Sequence, residues 1–361
     1  VGVSVNLEER DAVDEQPLGQ EYTGDEEDDG DTLFVDIDGV PTAQLRPRKV
    51  YDYYTTVLGG LEAVAEKDLR YHLKGLSKIR VDREGGRQSR LFFRYERSPK
   101  QLLEIRSVER IMALIGIVGR ITVGKPGLFR LAERILEADL ASAVVLHDIL
   151  HGEKEEARFG LACTVSGDHR FSSSEVYQIV QTVLEAKYDV IPEGEGAPYR
   201  LHLQVMGRRA VFGLELASPL PADHGVRVPR SLAYCLGLMA KVEERDVCLD
   251  PYPVDGSLMR HVGELFGPKQ VFQGVEEEGP EDGTVDRILT IPMSRDVAGN
   301  EEEMLKGFAR ALAPRRTATV LVEDRKALEE AAGRAPFEIM MKTPVRLRGR
   351  AHTAVVLRKK E

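Results

Sequence analysis

The sequence predicts a multidomain chain of mixed α/β and α+β class, and three observations carry that prediction. Its 361 residues are enough for two or three domains, each with its own core. The first ordered stretch reads as strand–helix–strand–strand–helix. The last stretch, from about residue 221, reads instead as short continuous apolar strands alternating with helices, the pattern of a parallel sheet covered on both faces.

Order is expected to begin near Lys49. Tyr51–Val57 is aromatic and β-branched and reads as a strand, ended by Gly59-Gly60. Leu61, Val64, Ala65 and Leu69 then recur at helical spacing. Leu76–Val81 and Leu91–Tyr95 read as two strands around Gly85-Gly86, and Pro99 is expected to open a helix carrying Leu102, Ile105, Val108, Ile111, Met112 and Ile115. This order is most of a ferredoxin-like split βαβ unit, assigned to residues 49–124.

A second α/β unit is expected over 125–220. Pro126 starts a helix, Phe159–Val165 is a strand, and Ser172 with Glu175 has capping-box spacing ahead of a Val176, Ile179, Val180, Val183 stripe. Tyr199–Val205 and Ala210–Leu216 alternate about Gly207 as a hairpin, and Pro219-Leu220-Pro221 reads as a linker. In the third part, 221–361, Val247–Asp250, Val271–Val275, Ile288–Ile291 and Thr317–Val322 read as buried strands. Helices are expected at Ser257–Phe266, Glu301–Leu312 and Ala327–Ala332, and Glu338–Lys342 with Ala351–Leu357 as a closing antiparallel pair.

Charge is unevenly placed. Residues 1–38 hold fourteen acids and Arg10, a charge of −13 against −10 for the whole chain, so the other 323 residues carry +3. Residues 46–130 alone carry +10. An acidic tail over 1–48, expected to be disordered, thus precedes a basic first domain. It reads either as a solvated tail or as a competitor of nucleic acid for that domain. Arg83, Arg87, Arg90 and Arg94 recur through the first hairpin, and Arg158, Arg170, Arg208 and Arg209 continue the basic character into the second unit. Spaced arginines neutralise phosphates, so these eight are the candidate RNA contacts.

No stretch reaches the ~18 apolar residues of a membrane helix, and no basic-then-apolar leader opens the chain. Cys163, Cys235 and Cys248 give neither a disulfide framework nor a zinc spacing. The expectation is a cytoplasmic protein with no membrane and no metal site.

Ligands of open α/β sheets sit beyond the carboxyl ends of the strands, which singles out three places. Asp250-Pro251-Tyr252-Pro253-Val254-Asp255-Gly256-Ser257 spans a strand-to-helix junction, where a glycine lets a cofactor approach the backbone. An Asp-Pro turn ahead of a helix also needs no ligand. Glu276 follows Gly256 by twenty positions, the distance of an acid that accepts from a ribose, yet it belongs to an acidic loop run. Pro292, after the third strand, offers a carbonyl that could orient a base amine, but Ile291 stands where such a site wants a side-chain acceptor.

With those residues in view the chain resembles the THUMP-domain RNA methyltransferases, which modify tRNA or large-subunit rRNA, often at guanine N2. Gly59-Gly60-Leu61-Glu62 and Ile105–Arg110 resemble that family's N-terminal ferredoxin-like domain. Phe171–Val176 and Val211–Leu216 resemble its THUMP domain, and Asp250-Pro251 lies where its Rossmann-like methyltransferase domain begins. The resemblance implies a fold of those three domains, S-adenosylmethionine as cofactor held by Asp250, Gly256 and Glu276, Pro292 at the reacting base, and structured RNA, tRNA first, as partner.

The departures set the expected function. The family's Asp-Pro-aromatic-Cys-Gly-Ser-Gly-Thr loop has Val254 at its first glycine with Pro253 beside it, and its Asn-Pro-Pro-aromatic motif has become Ile291-Pro292-Met293-Ser294. Only sixteen positions separate Glu276 from Pro292, too few for the helix, strand and helix the family places there, so the sheet should be incomplete. The expectation is an RNA-binding relative with an inactive methyltransferase domain and no cofactor, whose C-terminal part could serve a protein partner. An active guanine-N2 methyltransferase with an unusual site is the alternative.

Overall fold

The computed structural model describes residues 52–83, 88–152, 158–186, 188–191, 196–218, 227–274, 280–292 and 299–361. The acidic tail and the Pro219–Pro221 linker lie outside the described residues. First come β1 (Tyr53–Leu58), α1 (Glu62–His72), β2 (Ser77–Asp82), β3 (Gln88–Arg94), a 3-10 helix at Pro99–Glu104 and β4 (Arg110–Val118). Next are α2 (Lys125–Leu136), α3 (Ala141–His151), β5 (Arg158–Ser166), α4 (Ser173–Glu185), β6 (Asp189–Ile191), β7 (Tyr199–Met206) and β8 (Arg209–Ala217). The last stretch holds α5 (Arg230–Ala240), β9 (Val247–Asp250), α6 (Ser257–Phe266), β10 (Gln270–Gln273), β11 (Val285–Thr290), α7 (Glu301–Ala311), β12 (Leu312–Val322), α8 (Arg325–Arg334), β13 (Phe337–Leu347) and β14 (Arg350–Lys359).

The described strands form two mixed sheets. The first has the order β2-β3-β1-β4-β8-β7-β5-β6 and runs without a break through the antiparallel β4–β8 pair. The second has the order β10-β9-β11-β12-β14-β13, parallel from β10 to β12 and antiparallel through the closing hairpin. The expected hairpin of β7 and β8 and the expected capping box are present: Ser172 Oγ accepts from Glu175 N at 3.2 Å, and Glu175 Oε2 accepts from Ser172 N at 2.8 Å.

The expected helix from Pro99 to Ile115 is corrected to a 3-10 helix followed by a strand. Ile111, Ala113 and Ile115 face the main core, while Met112 and Leu114 join Tyr54, Phe92, Met206 and Val211 in a second cluster on the other face. A segment apolar on both faces shows no alternation, and its apolar positions fit a helical stripe equally well.

The helix-free face of the first sheet is strongly curled. Arg90 of β3 donates from Nε to Gln204 Oε1 of β7 at 3.0 Å, although β1, β4 and β8 lie between these strands. In a flat sheet the two strands would stand about 19 Å apart. Arg90 is therefore 5% exposed, with Asp82 at 3.8 Å.

On the other face α3 packs two histidines against β7 and β8. The rings of His147 and His151 lie 4.2 Å apart, His151 Nε2 is 2.9 Å from the Leu216 carbonyl, and Tyr199 Oη donates to Asp148 at 2.8 Å. Burial, then the neighbouring His151, hold the His147 pKa below the ordinary histidine value. The folded chain thus favours neutral His147 and the unfolded chain takes up the proton more readily. This share of stability is complete above the ordinary value of about 6.5 and is lost as pH falls below it. Urea midpoints of the native chain should fall from pH 7.5 to 5.5 by more than those of His147→Phe, and parallel falls would exclude His147 as the source.

The second sheet is docked onto the first unit. Tyr234 Oη of α5 donates to Asp68 Oδ1 of α1 at 3.2 Å, and Ser107 Oγ donates to Asp68 Oδ2 at 2.7 Å. Arg346 N of β13 donates to the Gly59 carbonyl at 2.8 Å. Gly60, at φ +96°, lies so close to β13 that a Cβ would stand 1.9 Å from the Pro344 carbonyl oxygen. The Gly59-Gly60 pair thus seats the C-terminal hairpin as well as ending β1.

Candidate functional site

The parallel strands β9, β10 and β11 end together, and the loop 251–256 rises from the first of them. Asp250 is the last residue of β9, in register with Gln273 of β10, and its side chain reaches the neighbouring strand end and the loop. Its Oδ1 accepts from Thr290 Oγ1 at 2.6 Å and from Tyr252 N at 3.1 Å. The residue is 2% exposed, and burial pushes its carboxyl up to about 6 against the pull of the Thr290 and Tyr252 hydrogen bonds. Its carbonyl accepts from Gly274 N at 2.7 Å, tying the end of β9 to the end of β10.

Beyond Asp250 the chain runs to α6 through Asp255, whose Oδ1 accepts from Ser257 N at 3.0 Å and whose Oδ2 accepts from Arg227 N at 2.8 Å. Gly256 takes a left-handed conformation, φ +72°, that favours glycine. The space beside it is occupied: Gln273 Oε1 is 2.6 Å from where a Cβ of residue 256 would sit. Pro253 leans over Gly274, with its Cγ 3.8 Å from the corresponding point there. Tyr252 turns the other way and packs toward Phe308 of α7.

The structure brings Asp250, Gly256 and Pro292 to one rim of the second sheet, Pro292 buried just past the end of β11. Glu276 lies outside the described residues, as does Met293. Among the described residues β10 is the edge of its sheet, as the short spacing to Pro292 leads one to expect. A groove of about 690 Å³ opens along that flank, lined by Gly256, by Met259, Arg260 and Gly263 of α6, and by Val271 and Gln273 of β10. Cys248, buried in β9, has its thiol pushed up to about 12 by burial, which closes a nucleophilic role. No group of three metal-ligating side chains occurs among the described residues.

The arginines expected at RNA are scattered by the fold. Arg83 is exposed, with Nε 3.9 Å from Glu62, and Arg87 lies outside the described residues. Arg90 is corrected: it is an interior residue, because the curl of the sheet turns its strand face inward. Arg94 stands 3.0 Å from Glu96 and 3.8 Å from Asp52. Arg158 and Arg209 are half-buried, whereas Arg170 and Arg208 are exposed at turns at one end of the second unit. Arg120, Lys125 and Arg130 are exposed near that same end and were not singled out by the sequence reading, because they are spread over a connection and a helix rather than a run.

No protein-family model matches the chain, and no curated protein sequence matches it. Solved structures do. TrmN from Thermus thermophilus superposes with a TM-score of 0.66 at 20% identity, over 85% of this chain and 99% of that one. SMU.472, classed as a methyltransferase and complexed with SAH, gives 0.57 at 12% identity, over 86% and 98%. A protein from Listeria monocytogenes classed as an N6-adenine-specific DNA methylase gives 0.55 at 12% identity, over 86% and 96%. At these identities the likeness is one of fold, a methyltransferase-like α/β architecture with a Rossmann-like sheet. No helix among the described residues is long and apolar enough to cross a membrane.

Proposed function

We propose that this chain is an RNA-binding protein, with tRNA as the first candidate, whose methyltransferase-type domain holds no methyl donor. In this reading residues 49–124 form a ferredoxin-like domain, 125–220 a THUMP domain and 221–361 the methyltransferase-type domain. The order β2-β3-β1-β4 is that of a split βαβ unit with its second helix reduced to a 3-10 turn, which favours the first assignment.

The observation that carries the inactive reading is the crowding between the ends of β9 and β10. A nucleoside cofactor would lie across these ends, against Gly256 on one side and an acid after β10 on the other. Gln273 and Pro253 occupy that ground, and β10 has no described strand beyond it to wall off a base. This crowding and the bare edge of β10 speak against S-adenosylmethionine laid in that manner. The alternative, an active guanine-N2 methyltransferase, keeps one favourable observation: Asp250, Gly256 and Pro292 still share a rim.

Two measurements on the full chain divide these readings. Titration calorimetry with S-adenosylhomocysteine should give a flat trace, and saturable heat at micromolar ligand would restore the enzyme. Filter binding of tRNA should show affinity falling steeply with salt, by roughly a thousandfold between 50 and 200 mM if six phosphates are neutralised. Absent or salt-independent binding would remove the RNA reading.

A further inference from the structure

Each of the two sheets has two edges, and three of these four described edges are guarded. β2 carries Lys78, Arg80 and Asp82 and is broken by a register shift. β6 spans three residues and opens on Asp189. β13 carries Glu338, Lys342, Pro344 and Arg346, again with a register shift. Charges, prolines and bulges keep an open row of N–H and C=O groups from pairing with another chain. β10, Gln270-Val271-Phe272-Gln273, has none of them.

The open row can be located. Gly274 N donates to the Asp250 carbonyl, so Gly274 and, by alternation, Phe272 turn their backbone groups toward β9. Val271 and Gln273 turn theirs outward. The same two residues line the groove beside α6, where Gly256 and Gly263 present no side chain. Phe272 points to the other face, half-buried against the cluster that holds Tyr252 and Phe308. On the groove flank of α6, Arg260 is exposed and forms no ion pair among the described residues. Glu264, one turn on, stands 2.5 Å from Arg230 and stays 44% exposed.

We propose that this edge pairs with the same edge of a second copy of the chain, antiparallel about a two-fold axis through Phe272. Setting Val271 opposite the second copy's Gln273, and the reverse, uses every outward group of the strand in about four hydrogen bonds. The two Phe272 side chains then face each other in a non-hydrogen-bonded pair, a favoured place for aromatic partners. α6 packs over β9 and β10, so one further strand spacing brings the two copies of α6 to roughly 10 Å, the distance of packed helices. Each helix fills the other's groove, the glycines allow the approach, and each Arg260 comes within reach of the second copy's Glu264. The contact is self-complementary and closes at two copies. A foreign peptide could pair with the backbone of β10 but would leave the groove beside it open, which is why a second copy is the favoured occupant. The pairing stands whether or not the crevice above it takes a ligand.

Sedimentation velocity of the full chain at tens of micromolar should give twice the monomer mass and nothing larger. Gly263→Arg should weaken this association roughly tenfold or more by blocking the approach of the helices. Its Tm at submicromolar dilution should match the native value, because a Cβ there meets only Val271 Cγ2, at 3.9 Å. Under mild oxidation Phe272→Cys should yield a disulfide-linked dimer, since Cα atoms about 4.5 Å apart can be bridged. Gln270→Cys should not, because it faces the second copy's Gly274, and the native chain with Cys163, Cys235 and Cys248 is the background for both. A native chain that stays monomeric, assemblies larger than two, a dimer untouched by Gly263→Arg, or cross-linking at Gln270→Cys in place of Phe272→Cys would each overturn the pairing. Should Phe272→Cys fail to fold, the native and Gly263→Arg chains still decide it.

Discussion

Gly60→Ala should be among the most damaging single-methyl additions in this chain, costing about 3–5 kcal/mol. Two effects add. An alanine at φ +96° leaves the regions open to side chains, and its Cβ would stand 1.9 Å from the Pro344 carbonyl oxygen. Backbone cannot swing aside as a side-chain tip can. Relief requires β13 to lift from β1, breaking the Arg346–Gly59 hydrogen bond with it. Thermal unfolding should show a fall in Tm of roughly 10 °C, with early protease cuts in the C-terminal sheet as it detaches. Gly116→Ala is the control, because a Cβ there meets nothing within 4 Å. A Gly60→Ala midpoint matching that control would mean the hairpin does not seat on β1 as described.

Asp250→Asn should have the opposite sign and stabilise the chain at neutral pH. Burial raises the native carboxyl to about 6, whereas the unfolded chain titrates near the ordinary value of about 3.9. The carboxyl's share of stability is complete below the unfolded value and is lost as pH rises through about 6. Asparagine keeps an oxygen for Thr290 Oγ1 and Tyr252 N and carries no charge. The expected gain is about 2 kcal/mol at pH 7.5, fading to nothing at or below pH 4. Urea unfolding of both chains across that range measures it. An asparagine chain less stable than the native one at pH 7.5 would show that the carboxylate is matched by a cation.

Much of this architecture was legible in the residues. The β7–β8 hairpin announces itself by strict alternation, and the parallel strands by short apolar runs, because each pattern reflects which faces are buried. Where burial is two-sided the signal fails: β4 passed for a helix. α5 went unread for the same reason, since Leu232, Ala233, Cys235, Leu236 and Met239 are buried nearly all round it and leave no polar stripe to give its period. Arg90 failed differently. Its strand and face were readable, but whether that face meets water depends on the curl of eight strands, which no local spacing encodes. At the candidate site Asp250, Gly256 and Pro292 were singled out by their expected places at strand ends, and they do share a rim. That Gln273 and Pro253 crowd the crevice follows from how β10 lies against loop 251–256, a matter of tertiary placement.

The β4–β8 pairing has a consequence for how the N-terminal half comes apart. A cut near residue 124 divides the chain where its sequence character changes, yet it would leave two raw edges, since Ile111–Val118 and Ala210–Ala217 supply each other's backbone partners. The guanidinium of Arg90 would also lose Gln204, although Asp82 of its own half would stay beside it. The two halves are thus a single unit of melting: neither should survive alone in dilute solution, and their denaturation should be one cooperative event.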